Sequence, residues 1–222
     1  MPDPNSPTLV TFKEWTLRAR EATGPSPRLL LLIHGLTGDE NSMWVFTRDL
    51  PAHYWMVAPR APHLSQMPQG GYSWYGSRSE SEDLPALEQL KPAVETLLTL
   101  VDEYCASVGL DGSTFDVVGF SQGAAIASLL SFLYPERIGR VGILAGFVPG
   151  GLDELILQRP VQGKPFFVAH GTKDETVSID RARASIGILE RAGANVTYCE
   201  DEVGHKVSLT CLRALRKFLS AT

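Results

Sequence analysis

The stretch Val117-Val118-Gly119-Phe120-Ser121-Gln122-Gly123-Ala124-Ala125 contains the one G-x-S-x-G pattern in the chain. Apolar, β-branched residues come before this pattern and small, apolar residues follow it, so it stands between a predicted strand and a predicted helix. Such a turn strains the backbone at Ser121, and only glycine fits at Gly119 and Gly123, where strand and helix approach closely. The pattern predicts a nucleophile elbow that presents the Ser121 hydroxyl at the carboxyl end of a sheet. The alternative is an ordinary turn in which Ser121 only caps the helix.

Hydrophobic patterns on both sides of this stretch predict alternating strands and helices. Short apolar runs predict strands, and apolar residues three and four apart predict helices. The predicted strands cover residues 8–12, 15–19, 29–33, 54–58, 115–120, 141–144, 166–169 and 195–199, and the predicted helices cover residues 41–50, 84–108, 122–133, 180–191 and 207–219. This order predicts an α/β fold, with a mostly parallel sheet and helices on both faces. We expect one domain over residues 1–222, of which 1–7 form a loose tail.

The composition excludes several classes of protein. The chain has 222 residues, 44% of them hydrophobic, and a net charge of −5. This apolar content excludes a disordered chain, and the acidic balance gives no basic surface for nucleic acid. Apolar runs such as residues 29–33 are far shorter than the roughly 20 residues that span a bilayer. We therefore expect no nucleic-acid partner and no stable membrane insertion.

The cysteines and the N-terminal residues indicate the cellular compartment in which we expect the protein. Cys105, Cys199 and Cys211 are an odd number of cysteines with no metal-ligand spacing, so we expect three free thiols and no metal site. Met1-Pro2-Asp3-Pro4 lacks the basic and apolar regions of a signal peptide. Together these features predict a cytoplasmic protein.

A serine hydroxyl needs a positioned base before it can act as a nucleophile. In hydrolases with this elbow, the acid and then the histidine follow the serine along the chain. Of the five histidines, only His170 and His205 come after Ser121. His205 follows the last predicted strand, so its loop can return the imidazole to the sheet edge. We expect His205 to be the base and His170 to hold its own loop by hydrogen bonds.

The acid that orients the base should lie just past the strand at 166–169. The segment after that strand contains Asp174 and Glu175, of which we favour Asp174. Asp201 is the competitor, but it stands only four residues before His205 and is better explained as a solvated loop carboxylate.

Two backbone N–H groups should face the oxyanion of a tetrahedral intermediate. One is the amide of Gln122, which directly follows the nucleophile. The other should come from the loop after the strand at 29–33, where we favour the amide of Leu36 in His34-Gly35-Leu36. The alternative for His34-Gly35 is an ordinary turn at the end of a strand.

These residues together resemble the phospholipase/carboxylesterase branch of the α/β hydrolases, which includes acyl-protein thioesterases. The resemblance covers nearly the whole chain, from Leu29 to His205. The motifs that carry it are His34-Gly35-Leu36-Thr37-Gly38-Asp39-Glu40, Gly119-Phe120-Ser121-Gln122-Gly123, His170-Gly171-Thr172-Lys173-Asp174-Glu175-Thr176-Val177 and Gly204-His205. The extra residue Thr37 and the aromatic loop 71–75 are more similar to the bacterial carboxylesterase subgroup.

The resemblance implies an α/β-hydrolase fold, a Ser121/Asp174/His205 triad and an oxyanion hole from Leu36 and Gln122. It also implies no cofactor and a small-molecule acyl ester or thioester as substrate. We expect a carboxylesterase acting on short- to medium-chain acyl esters. An acyl-protein thioesterase or lysophospholipase that prefers long chains is the alternative. A hydrolase-fold binding protein without turnover is a third hypothesis.

The acyl group is expected on an open groove. Residues 59–83 have no period and are rich in proline, glycine, serine and aromatics, which predicts a long loop of a functional kind. Only about twenty residues separate the strands at 141–144 and 166–169, too few for a helical lid. The expected walls of the groove are Leu36, Met67, Tyr72, Trp74, Phe120 and Phe147.

Overall fold

The computed structural model describes residues 6–76 and 87–221. The strands are β1 (Thr8–Phe12), β2 (Trp15–Arg20), β3 (Arg28–Ile33), β4 (Tyr54–Pro59), β5 (His63–Leu64), β6 (Tyr72–Ser73), β7 (Phe115–Phe120), β8 (Ile138–Leu144), β9 (Pro165–Gly171) and β10 (Asn195–Asp201). The helices are α1 (Leu87–Val108), α2 (Gln122–Leu133), α3 (Asp153–Leu157), α4 (Ile179–Arg191) and α5 (Leu209–Ser220). Apart from the segment 41–50, the alternation predicted from the sequence is confirmed for the described residues.

Eight of these strands form one sheet in the order β1-β2-β4-β3-β7-β8-β9-β10. Pairing is antiparallel between β1, β2 and β4, and parallel from β4 through to β10. The central strands are buried on both faces, which explains their unbroken apolar sequences. Helices α1 and α2 pack on one face with the larger apolar cluster, and α5 covers the other face. The expected mostly parallel sheet with helices on both faces is confirmed.

The segment at 41–50 differs from its prediction as a helix. It contains only a turn of 3₁₀ helix, Trp44–Phe46. The side chain of Asp39 accepts hydrogen bonds from the Asn41 amide and the Ser42 hydroxyl. These local bonds compete with a regular helix, as short polar side chains often do. The short helix α3 was not predicted. Three predicted segments lie partly outside the described residues: 1–5 of the tail, 77–83 of the long loop and 84–86 of the helix at 84–108.

Two of the three cysteines are joined, so the prediction of three free thiols is wrong. Cys199 in β10 and Cys211 in α5 form a disulfide, with Cα atoms 5.6 Å apart. The reason is tertiary: the chain turns back after β10 and lays the first turn of α5 beside it, within disulfide reach. Cys105 is a free, buried thiol. In the part of the chain that is described, no helix has the length and apolar character needed to cross a membrane.

Helix α2 lies so close to the sheet that glycine is required at the elbow. A Cβ atom on Gly119 would lie 2.1 Å from the Gly123 carbonyl oxygen. A Cβ atom on Gly123 would lie 2.1 Å from the carbonyl oxygen of Ile33 in β3. Ser121 between them has φ +52°, a region that non-glycine residues seldom adopt. The elbow predicted from the sequence is therefore present as a backbone conformation.

A buried carboxylate, Asp116 in β7, connects four strands near the opposite end of the sheet. It accepts hydrogen bonds from the Arg28 guanidinium (2.7 Å), the Arg140 amide (2.7 Å) and the Tyr54 hydroxyl (2.6 Å). Burial, reinforced by the Asp116 charge, raises the pKa of Tyr54, so its hydroxyl remains a donor. The sheet therefore depends on one desolvated negative charge that is fully satisfied.

We expect Asp116→Ala to lower the free energy of unfolding by about 3 kcal/mol, because it leaves the half-buried Arg28 guanidinium and the Arg140 amide without the carboxylate that accepts from them. Asp102→Ala is the matched control, since the Asp102 carboxylate is 56% exposed in its pair with Arg137. It should cost less than about 1 kcal/mol. Urea unfolding measures both variants, and equal losses would contradict the assigned role of Asp116.

Candidate active site

Three side chains that are far apart in the sequence form a hydrogen-bonded chain at the carboxyl end of the parallel strands. The Oγ of Ser121 lies 2.9 Å from Nε2 of His205, and Nδ1 of His205 lies 2.7 Å from Oδ2 of Asp174. Ser121 comes from the elbow after β7, Asp174 from the loop after β9, and His205 from the loop after β10. The structure therefore brings together the three residues that the sequence singled out.

The Asp174 carboxylate is held on both oxygens. Its Oδ1 accepts hydrogen bonds from the backbone amides of Thr176 and Val177, both at 2.9 Å. Its side chain is fully buried, whereas that of His205 is 24% exposed. An ionised carboxylate at Nδ1 selects the tautomer with the proton on that nitrogen, so the lone pair on Nε2 faces the Ser121 hydroxyl. This arrangement suits the imidazole to accept the serine proton.

The other candidate acids and bases are not part of the hydrogen-bonded chain from Asp174 to Ser121. Glu175 is exposed, and the Oδ1 of Asp201 accepts a hydrogen bond from the Glu202 amide of its own loop. Nε2 of His170 lies 2.8 Å from the Val177 carbonyl oxygen and 3.4 Å from Oδ2 of Asp174. His170 is buried and thus holds the loop that carries Asp174, in the way the sequence predicts.

The two candidate oxyanion donors sit on fixed backbone next to Ser121. Gln122 is the first residue of α2, where backbone N–H groups have no partner within the helix and the helix dipole favours negative charge. Leu36 lies in the loop after β3. The amide of Thr37 donates to the Tyr72 carbonyl oxygen, and the amide of Tyr72 donates to the Gly38 carbonyl oxygen, both at 3.0 Å. These bonds clamp the Leu36 loop to the loop that contains β6.

The His34 side chain has a supporting role in the site that no sequence pattern indicates. Its Nε2 accepts a hydrogen bond from the Ala61 amide at 3.0 Å, which places the proton on Nδ1, 2.7 Å from the Gly35 carbonyl oxygen. Burial lowers the pKa of His34, so the ring is neutral. His34 therefore connects the loop before Leu36 to the segment after β4. The sequence placed His34-Gly35 in the predicted oxyanion loop, with an ordinary turn as the alternative, and gave the imidazole no role of its own.

The side chain of Gln122 has a second supporting role that no sequence pattern indicates. Its Oε1 accepts from the Trp74 amide at 3.0 Å, and its Nε2 donates to the Ser73 hydroxyl at 3.1 Å. The loop at 72–75 is thus bound to the residue that directly follows Ser121.

A cavity of about 450 Å³ opens next to the two oxyanion candidates. Leu36 and Met67 line it, together with residues that were not predicted, and Gln122 closes one side. The lining residues are Leu36, Leu64, Ser65, Gln66, Met67, Ser73, Tyr75, Gly76 and Gln122. Residues 145–164 carry only the short helix α3, so no lid is inserted between β8 and β9.

The remaining predicted wall residues do not line this cavity. Trp74 is only 2% exposed, and its indole N–H donates to the His34 carbonyl at 2.8 Å, so its ring supports the site from beneath. Phe120 lies beside His205, with ring centroids 5.1 Å apart. Phe147 is 7% exposed. The Arg60 guanidinium lies over the ring of Tyr72, 4.7 Å from its centroid. These aromatic residues thus pack against other residues around the site, and they do not form the walls of this cavity.

Comparisons with known proteins agree with this architecture. Acyl-protein thioesterase 1 of Saccharomyces cerevisiae is 30% identical over 186 residues, which cover 73% of this chain and 77% of the yeast protein. A probable carboxylesterase of Arabidopsis thaliana, SOBER1-like, is 26% identical over 216 residues, which cover 94% of this chain and 78% of the plant protein. The crystal structure of the Bacillus cereus carboxylesterase superposes with a TM-score of 0.80 at 22% identity, covering 93% of this chain and 94% of that one.

The B. cereus structure confirms the α/β-hydrolase fold that the resemblance implied. The model of the family described as Phospholipase/Carboxylesterase matches residues 18–222, nearly the whole chain. The chain therefore belongs to the phospholipase/carboxylesterase family of α/β hydrolases.

Proposed function

We propose that this protein is a serine carboxylesterase that hydrolyses short- to medium-chain acyl esters through an acyl-enzyme. The observation that carries the proposal is the hydrogen-bonded chain from Asp174 through His205 to the Ser121 hydroxyl. A hydroxyl becomes a nucleophile at neutral pH only when such a base accepts its proton. The family membership supports ester or thioester chemistry.

In the acylation step, Nε2 of His205 takes the proton of Ser121 as Oγ attacks the ester carbonyl carbon. The Asp174 carboxylate stabilises the resulting imidazolium through Nδ1. The carbonyl oxygen becomes an oxyanion and accepts hydrogen bonds from the amides of Leu36 and Gln122. The imidazolium then gives its proton to the leaving alcohol, the C–O bond breaks, and the acyl group remains on Ser121.

The second step repeats this chemistry with water. His205 removes a proton from a water molecule, which attacks the acyl carbonyl, and the same two amides hold the second oxyanion. His205 then returns the proton to Ser121 and the carboxylic acid leaves. No cofactor enters either step.

The cavity beside the oxyanion donors is the proposed acyl site. At about 450 Å³ it belongs to the smaller ligand sites, which span roughly 300–1,000 Å³. Leu36, Leu64 and Met67 give it apolar contacts, and Gln122, which directly follows Ser121, is part of its lining. Each methylene that it buries contributes about 0.8 kcal/mol until the space is filled. The space is bounded, which supports a limit to the number of methylenes that gain from burial.

An acyl-protein thioesterase is the second candidate function. Several relatives carry that name, and Leu64 at the cavity rim is 76% exposed, so it could continue an apolar surface for a longer chain. The triad chemistry is the same for a thioester, and only the leaving group changes.

The first prediction concerns the nucleophile. Ser121→Ala should lower kcat for a p-nitrophenyl ester by at least about 10³-fold, because the remaining oxyanion donors give only residual catalysis. Circular dichroism should report an unchanged fold. Wild-type turnover in the folded variant would rule out the proposed mechanism.

The second prediction separates the two adjacent carboxylates. Asp174→Asn should lower kcat by about 10³–10⁴-fold, since an amide at this position no longer fixes the required tautomer of His205. Glu175→Gln is the matched control and should retain wild-type kcat, because Glu175 is exposed. The reverse pattern would assign the acid to Glu175.

The third prediction concerns chain length. With p-nitrophenyl esters of two to sixteen carbons, kcat/KM should rise about fourfold per methylene at first and stop rising by about eight carbons. Leu64→Ser should reduce the longer-chain rates, whereas Leu157→Ser, a change at an exposed leucine outside the cavity, should not. A rate that continues to rise to sixteen carbons, or a strong preference for thioesters, would favour the thioesterase.

A further inference from the structure

The disulfide between Cys199 and Cys211 encloses the residue proposed as the catalytic base. Cys199 lies near the end of β10 and Cys211 in the first turn of α5, and His205 stands midway between them in the sequence. The disulfide therefore closes the segment 200–210 into a covalent loop that contains His205. Its two ends are covalently fixed to each other, whatever the loop itself contacts.

The first half of this loop is held by backbone hydrogen bonds to the loop that carries Asp174. The Thr172 amide donates to the Asp201 carbonyl at 2.9 Å, and the Lys173 amide donates to the Val203 carbonyl at 3.0 Å. A Cβ atom on Gly171 would lie 2.2 Å from the Val203 oxygen, so the two loops are in direct contact. The path of the chain up to Val203 is thus fixed by its neighbour.

The second half depends on where α5 begins. The chain runs from His205 to Ser208, whose hydroxyl caps α5 by accepting from the Cys211 amide at 3.1 Å. This cap joins the loop to the helix but does not join the helix to the sheet. Leu212, Leu215 and Leu219 pack α5 on the sheet, and the disulfide adds a covalent connection between the first turn of α5 and β10.

We propose that the Cys199–Cys211 disulfide is a positioning element for His205, holding the first turn of α5 against β10 so that the imidazole stays in reach of the Ser121 hydroxyl. The inference rests on the proposed function. The two cysteines would act by positioning the catalytic base. They do not line the cavity proposed as the acyl site.

The consequence is an activity that depends on the redox state of this bond. A dithiol reductant breaks the S–S bond by supplying two electrons and two protons, and it becomes a disulfide itself while Cys199 and Cys211 become thiols. The 200–210 loop then gains conformational freedom at the end that leads into α5. Small displacements of a catalytic group are costly, so we expect kcat to fall while KM changes little.

The third cysteine serves as an internal reference. Cys105 lies in α1, and burial raises its pKa to about 11. Thiol titration in denaturant should therefore find one thiol per chain in the oxidised protein and three after reduction, as the cysteine count requires.

The test compares the oxidised and dithiothreitol-reduced full chain on a short p-nitrophenyl ester. We expect reduction to lower kcat about tenfold or more, with KM nearly unchanged and full recovery on reoxidation. Cys105→Ser is the matched control and should respond in the same way. A Cys199→Val/Cys211→Ala variant keeps the site packed without the bond and should have the low kcat of the reduced protein.

Several outcomes overturn the proposal. They are three thiols in the oxidised protein, equal kcat in the two redox states, or a folded Cys199→Val/Cys211→Ala variant with wild-type kcat. If reduction instead unfolds the chain, as seen by circular dichroism, that double variant decides. A kcat of the double variant equal to that of the wild type would contradict the positioning role. A low kcat of the double variant, with a wild-type KM, would support it.

A readout without substrate separates this proposal from the proposed function. The Nδ1 proton that His205 shares with Asp174 should give a low-field proton NMR signal, assigned by its absence in His205→Gln. The signal should be sharp in the oxidised protein and broadened by exchange after reduction. An unaltered signal contradicts the positioning role, whereas loss of esterase activity in every form, with the signal still redox-dependent, contradicts only the proposed function.

Discussion

The contact between the start of helix α2 and strands β3 and β7 is the constraint on which the site depends. No Cβ atom fits at Gly119 or Gly123, because each would lie 2.1 Å from a carbonyl oxygen. The helix therefore lies directly on the sheet, and the turn before it must be sharp enough to put Ser121 at φ +52°. This conformation is costly for a residue with a side chain, and the surrounding core maintains it. It directs the serine side chain toward the loops after β9 and β10.

Around this turn, the loops that complete the site are tied to each other before any substrate arrives. The Leu36 loop is bound to Tyr72 through the backbone, and neutral His34 bridges it to Ala61. The Gln122 side chain binds the same aromatic loop on its other side. Donors that are already oriented lose little free energy to reorganisation when charge develops, which is the usual source of strong oxyanion stabilisation. The amides of Leu36 and Gln122, the proposed oxyanion donors, therefore lie in segments that hydrogen bonds among the described residues already hold together.

The sequence predicts those features that local chemistry determines. The glycines of the elbow have a physical reason that can be read residue by residue, and the acid and the base were predicted with the serine, acid, histidine order that hydrolases with this elbow share. Features that depend on how distant segments meet could not be predicted. Trp74 was expected in a groove, yet it is buried because its indole N–H reaches a carbonyl under the Leu36 loop. The pairing of Cys199 with Cys211 follows from the return of α5 past β10, which no cysteine spacing indicates.

The central claim is that Ser121 carries the acyl group during turnover. Mass spectrometry of the protein, quenched in acid during the first turnover of a p-nitrophenyl ester, tests this claim most directly. We predict a mass increase equal to one acyl group, located on the peptide that contains Ser121 and absent from Ser121→Ala. An active protein that never accumulates the adduct, or that carries it on another residue, would contradict the account.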